Sequence, residues 1–235
     1  MSDVNVDNIK WPCSISDDLK QQFAEISQPG KGLPNTQKKM EFPGIYYITS
    51  GLATLSVLSE NMNNTLGFVV GTDDWVGANT IGYLSNIFLL TVEIEPVKYL
   101  FFCRKKVALL AEKNLEVYKF LFHCLNKMQP VFWQVSLTAL HDKEIRIVYT
   151  LLSLAQMKKT IKGAKVSIKI TQEQLCAVTG LSRPRINEVL KNIEKAHEIS
   201  IERGVIHIID IAALGQRLNQ LNMMFNDPRR EIETE

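Results

Sequence analysis

The 235-residue sequence predicts an α+β chain: an N-terminal β sandwich or jelly roll, one long helix, and a C-terminal winged helix-turn-helix. Three observations predict it. Short apolar runs broken by turn clusters fill the stretch from Gly44 to Cys103. A seven-residue apolar repeat follows for three heptads. Two capped helices around a glycine, then a hairpin, close the series.

Composition sets the frame. The chain is 46% hydrophobic and 22% charged, enough apolar material for a real core. Net charge is only +2, but residues 141–235 carry 15 Lys+Arg against 12 Asp+Glu, which faintly favours a phosphate-facing surface there. Cys13, Cys103, Cys124 and Cys176 form no CxxC pair, so zinc and iron–sulfur chemistry are not indicated. For Cys103, Cys124 and Cys176 buried, inert thiols are the expectation, with a thiol switch as the alternative. No signal peptide and no membrane-length apolar run is present, so the expectation is a cytoplasmic protein without membrane contact.

Residues 16–28 read as a helix capped by Ser16, with Leu19, Phe23 and Ile26 on one face. Residues 29–44, rich in Pro, Gly, Lys and Asn, read as loop. Ile45–Ile48, Leu52–Leu58, Thr65–Val70, Leu89–Ile94 and Val97–Cys103 read as strands. Their breaks fall at Ser50-Gly51, at residues 61–64, at Gly71–Asp74 and at Glu95-Pro96. Lys105–Lys113 is a short helix.

The long helix runs from about Leu115 to Leu140. Tyr118, Leu121, Leu125, Met128, Phe132, Val135 and Ala139 step by 3, 4, 3, 4, 3, 4, a spacing that fits a coiled coil or a helix packed on its own domain. Pro130 lies off this seam and removes one backbone donor. Asp142 caps the next helix, Lys143–Lys158, which buries Ile145, Val148, Leu151, Leu152 and Ala155.

Residues 170–209, ITQEQLCAVTGLSRPRINEVLKNIEKAHEISIERGVIHII, carry the function. Thr171 and Gln174 form a capping box for a helix Gln172–Thr179. Gly180 makes the turn, Leu181 plugs it, and Ser182 caps a second helix burying Ile186, Val189, Leu190 and Ile193. Arg183, Arg185, Glu188 and Lys191 lie on the opposite face. Ile199–Ile201 and Val205–Ile209 flank Glu202-Arg203-Gly204 as a hairpin. A solvated charged face is the plain alternative, but caps, glycine, plug and hairpin all coincide. A helix N-terminus bearing two arginines attracts phosphates. Arginine also matches the guanine acceptors of the major groove, and glutamate accepts from a cytosine amino group. The expected partner is double-stranded DNA.

With those residues in view, the chain resembles the Crp/Fnr family over nearly its whole length. ITQEQLCAVTGLSRPRINEVLKNIE is similar to the family pattern ITxxxIxxxxGxSRExVxRxLxxLE, and GIYYITSGLATLSV and DDWVGANTIGYL resemble its cyclic-nucleotide-binding domain. The resemblance implies phosphate contacts at Thr171 and Ser182 and a base-reading role for Arg183. Pro184 and Glu188 replace the other two base readers, so the usual TGTGA-type operator does not follow. Arg185, Lys191 and the wing-tip Arg203 complete the expected DNA-facing set.

It further implies that the heptad seam joins two chains in a homodimer on a roughly palindromic operator. RNA polymerase is a further partner if the protein activates. In family members that bind cyclic AMP, Gly-Glu and Arg-Ser pairs hold the ribose and phosphate. Here an ungapped comparison puts Gly77-Ala78 and Phe88-Leu89 at those pairs, and Val131 and Phe132 at the adenine-contacting hydroxyls. A degenerate pocket without cyclic-nucleotide control is therefore expected. The effector is unassigned, no cofactor is implied, and no nucleophile–base spacing suggests an enzyme. The expected division is a sensor domain at 1–114, a dimer helix at 115–141, a DNA-binding domain at 142–226 and an acidic tail at 227–235. The competing reading is a small-molecule receptor whose helix-turn-helix serves protein interaction.

Overall fold

The computed structural model describes residues 6–33, 43–58, 65–81, 88–158 and 166–230. The Asn61–Asn64 turn, most of the basic loop after Lys158 and the glutamates of the C-terminal tail lie outside them. The first helix, α1 (Asp17–Ile26), starts at Ser16, whose Oγ accepts from the Leu19 N–H at 3.3 Å. Leu19 and Phe23 on its inner face are fully buried.

The β domain is one antiparallel sheet in the order β1-β5-β2-β3, with β4 paired to β2. Its strands are β1 (Ser27–Lys31), β2 (Gly44–Leu58), β3 (Thr65–Gly71), β4 (Trp75–Val76) and β5 (Phe88–Cys103). Two expected breaks are not breaks. Ser50-Gly51 and Glu95-Pro96 sit inside β2 and β5, where their ladder is irregular between Ile48 and Ala53. Gly51 has φ +100°, and a Cβ there would lie 2.3 Å from the Pro96 carbonyl oxygen. The missing proline N–H is tolerated because the ladder is already out of register at this bulge. Part of the expected loop 29–44 is also a strand. β1 pairs Pro29 with Leu100, and proline is tolerated because β1 is the sheet edge.

An aromatic cluster of Phe23, Tyr47, Trp75, Phe102 and Phe120 packs α1, the sheet and the following helices together. A second cluster holds Ile48, Leu55, Val70, Val76 and Val97, with Met128 packed on it. Helix α2 (Arg104–Lys113) leads into the long helix α3 (Glu116–Thr138), which contains Pro130. Glu116 ties α3 back to α1 by accepting from the Ser16 hydroxyl at 2.6 Å and its backbone N–H at 3.0 Å.

The predicted seam on α3 is exposed along only one of its two rows. Leu121 and Val135 are each only 7% exposed and belong to the chain's own clusters, and Met128 turns inward with them. Tyr118, Leu125 and Phe132 remain exposed, Ala139 is half-buried, and Leu115, Phe122, Trp133 and Leu140 join the exposed set. The unpartnered stripe keeps Tyr118, Leu125 and Phe132 and is therefore turned by about half a residue step, roughly 50° of helix rotation, from the predicted one. Heptad spacing fits either of two adjoining stripes, and the sheet claims one of them.

After Asp142, whose side chain accepts from the Ile145 N–H, helix α4 (Lys143–Met157) is buried on almost every side. A three-stranded sheet in the order β6-β8-β7 follows: β6 (Val166–Lys169), β7 (Ile199–Glu202) and β8 (Val205–Ile208). Strand β6 and the short helix α7 (Ile211–Gln216) were not anticipated. Between β6 and β7 lie α5 (Gln172–Thr179) and α6 (Arg183–Lys195). This C-terminal core also takes in Leu52 and Val69 of the β sheet.

Candidate nucleic-acid interface

Both caps of α5 follow from its sequence. Thr171 Oγ1 accepts from the Gln174 N–H at 3.2 Å, and Gln174 Oε1 accepts from the Thr171 N–H at 2.7 Å. Gln174 Nε2 also donates to the Glu93 carbonyl of β5 at 2.8 Å, which bolts the capping box to the β domain. At the other end Gly180 has φ 66°, a left-handed turn that favours glycine. Leu181 is buried beneath the turn.

Helix α6 begins differently. Ser182 has the extended backbone of an N-cap, yet its side chain makes no capping bond. Pro184 stands in the first turn and supplies no N–H, which removes one of the donors a capping hydroxyl ordinarily uses. Ser182, Arg183, Arg185, Glu188 and Lys191 are all exposed, while Ile186, Val189, Leu190 and Ile193 face the core. The Arg183 Nε–H donates to Gln172 Oε1 at 2.9 Å. Glu188 Oε2 pairs with Lys143 Nζ of α4 at 2.5 Å.

The wing, β7 and β8, turns at Gly204 with φ 76°, and Arg203 at its tip is exposed. Thr171, Arg183 and Arg203 come together on a groove of about 820 Å³ between α5, α6 and the wing. Ser182, Arg185, Glu188 and Lys191 run along the exposed face of α6 rather than lining that groove. Three neighbours of this surface escaped the sequence reading: Lys143, Gln172 and Arg146. Arg146 of α4 donates to the Thr179 carbonyl, and its pKa is lowered, first by burial and then by the charge of Arg185. None of the three carries a local signal, because each reaches the surface by packing of separate helices.

The residues matched to the ligand pocket do not share one environment. Gly77 is left-handed at φ 92°, and Ala78 is buried in the aromatic cluster. Val131 lines a cleft of about 570 Å³ between β3, α3 and α4, whereas Phe132 is exposed. Phe88 and Leu89 pair through their backbones with Leu58 and Val57. The cluster of Ile48, Leu55, Val70 and Val97 fills part of the β domain with the chain's own side chains.

Burial pushes the Cys124 thiol well above its usual range, and raises Cys13 and Cys176 less strongly. Cys103 and Cys176 are half-buried rather than buried. Among the described residues no group of His, Cys, Asp and Glu is placed to hold a metal, and no helix is long and apolar enough to cross a membrane.

Comparison with known proteins agrees with this geometry. Residues 145–217 match the Crp-like helix-turn-helix domain. The chain is 27% identical over 164 residues to the cAMP-activated global transcriptional regulator CRP of Pasteurella multocida, covering 66% of this chain and 76% of the relative. Two solved structures share the fold. The c-di-GMP-responsive global regulator CLP of Xanthomonas campestris has a TM-score of 0.63 at 16% identity, with 82% of this chain and 99% of that one covered. A Crp/Fnr-family regulator of Thermus thermophilus has a TM-score of 0.60 at 18% identity, covering 80% and 97%.

Proposed function

Starting from a chain that is a Crp/Fnr-type transcription regulator with a DNA-binding helix-turn-helix, we propose that it acts as a homodimer on a roughly palindromic operator without cyclic-AMP control. The observation that carries the DNA reading is the exposed face of α6. Arg183, Arg185 and Lys191 stand clear of the core at and beyond a helix N-terminus, and Arg203 of the wing shares a groove with Arg183. Phosphates are drawn by the helix dipole and these cations, and Arg183 takes a guanine edge in the major groove. The exposed apolar stripe of α3 supports the second chain, since a soluble monomer rarely shows so many large side chains along one helix. Two-fold symmetry then sets two half-sites about one DNA turn apart.

The argument against cyclic AMP is chemical. In the ungapped sequence match Ala78 falls at the carboxylate that would hold the ribose, and Phe88-Leu89 at the guanidinium that would hold the phosphate. Each missing charged hydrogen bond costs about 1.5–3 kcal/mol, so affinity falls by orders of magnitude. Selection of bound sequences from a random DNA pool at stated salt, with and without cyclic AMP, tests both parts. Enrichment of a palindrome independent of the nucleotide is the expected result. Arg183→Ala should relax one base step in each half-site by about 1–3 kcal/mol, and Arg185→Ala should weaken all sequences alike. A salt slope near zero would instead favour a protein-interaction role for the motif.

A further inference from the structure

Glu188 is the odd residue on the exposed face of α6: a carboxylate among cations, on a surface that meets a polyanion. By spacing it has Arg185 and Lys191 three residues away on its own helix. It pairs instead with Lys143 Nζ at 2.5 Å, from the first turn of α4, across 45 residues of sequence. Both side chains keep access to solvent, at 37% for Lys143 and 57% for Glu188.

We propose that Lys143 is a specificity-determining positioning residue: it holds Glu188 so that one carboxylate oxygen reads a cytosine amino group in the major groove. This rests on the assignment of α6 as the recognition helix. An unpaired carboxylate there is repelled by the flanking phosphates, and the Lys143 ammonium offsets that charge without using a position on α6. The ammonium takes Oε2 and leaves Oε1 as an acceptor. Among major-groove edges, cytosine offers an N4 amino donor with no acceptor on the same base. Adenine places its N7 acceptor beside the amino group, and guanine and thymine offer keto oxygens, so all three meet the carboxylate with some repulsion. Released from Lys143, Glu188 folds toward Arg185 or Lys191 and the preference fades.

The test is competitive binding to operators carrying each of the four bases at the step where Glu188→Ala flattens the preference. The full-length protein is used throughout. Lys143→Ala should cut discrimination for cytosine about fivefold to tenfold, and Lys143→Arg should restore it. A double exchange, Lys143→Glu with Glu188→Lys, should move the preference from cytosine to guanine. Equal weakening of all four bases by Lys143→Ala would make Lys143 a phosphate contact only and overturn the proposal. If Glu188→Ala flattens no step while Arg183→Ala still does, Glu188 is not a reader and the proposal falls, with the DNA-binding reading intact. If neither substitution flattens a step, the reading of α6 itself fails.

Discussion

The side-chain amide of Gln134, wholly buried in α3, donates to the backbone carbonyl of Asn222 at 3.0 Å. Its Oε1 accepts from the N–H groups of Phe225 and Asn226 at 3.1 and 3.4 Å. The Asn226 side chain continues the link by donating to the Tyr149 hydroxyl of α4 at 3.1 Å. The segment after α7 thus straps α3 to the DNA-binding unit. Gln134→Leu keeps most of the volume and leaves these backbone groups without partners. It should cost about 1–3 kcal/mol in urea unfolding, with faster amide exchange at Phe225 and Asn226. Unchanged exchange there would show that the strap is held by other contacts.

The helix-turn-helix was legible because each of its signals is local. Thr171 and Gln174 are three residues apart, Gly180 sits at the turn, and the apolar spacing of α6 needs no distant partner. The β domain departs from its local sequence signals where two of them answer each other. Gly51 and Pro96 each read as a break, yet they meet across one continuous ribbon. Pro29 read as loop because its edge position is set by β5, some seventy residues on. The Gln134 strap and the Lys143–Glu188 pair have no periodicity or motif at all, since both are made by tertiary packing.

Arg217 closes a second link. Its Nε and Nη2 donate to the two oxygens of Glu198 at 2.6 and 2.8 Å, and its Nη1 donates to Glu144 of α4 at 2.6 Å. The Glu198 side chain is only 11% exposed, so Arg217→Ala strands a nearly buried carboxylate. A loss of about 2–4 kcal/mol is expected in denaturant titration. Adding Glu198→Gln should recover part of it by removing the stranded charge. A double variant as unstable as the single one would locate the effect in lost packing instead.

Gly67 of β3 sets how closely α5 lies on the sheet. A Cβ there would stand 2.6 Å from the Val178 carbonyl oxygen and 2.5 Å from Ser56 Oγ, and Ser56 itself donates to the Ala177 carbonyl at 3.2 Å. Gly67→Ala should push α5 off β3, cost about 1–3 kcal/mol, and break the Gln174–Glu93 bond. Amide exchange should then rise along α5 and stay low in the buried part of α6. A crystal structure of the variant with α5 in place would count against this account.

The rotated stripe on α3 yields the sharpest test of assembly. Two neighbouring leucine and phenylalanine positions have opposite fates: Leu121 is 7% exposed and Phe122 59%. A coiled-coil partner can be met only by side chains that the chain's own core does not use. Phe122→Glu combined with Leu125→Glu should therefore give a folded monomer, with an unfolding midpoint close to wild type. Leu121→Glu should instead lower stability by several kcal/mol, on the order of a charge placed in a core, whatever the assembly state. Sedimentation velocity at micromolar concentration separates the two, and urea titration reads the stability of each. The monomer should also lose operator affinity about a hundredfold or more, because the second half-site is no longer held at high effective concentration. A wild-type chain that sediments as a monomer would overturn the dimer. A Phe122/Leu125 variant that stays dimeric would move the interface off this stripe.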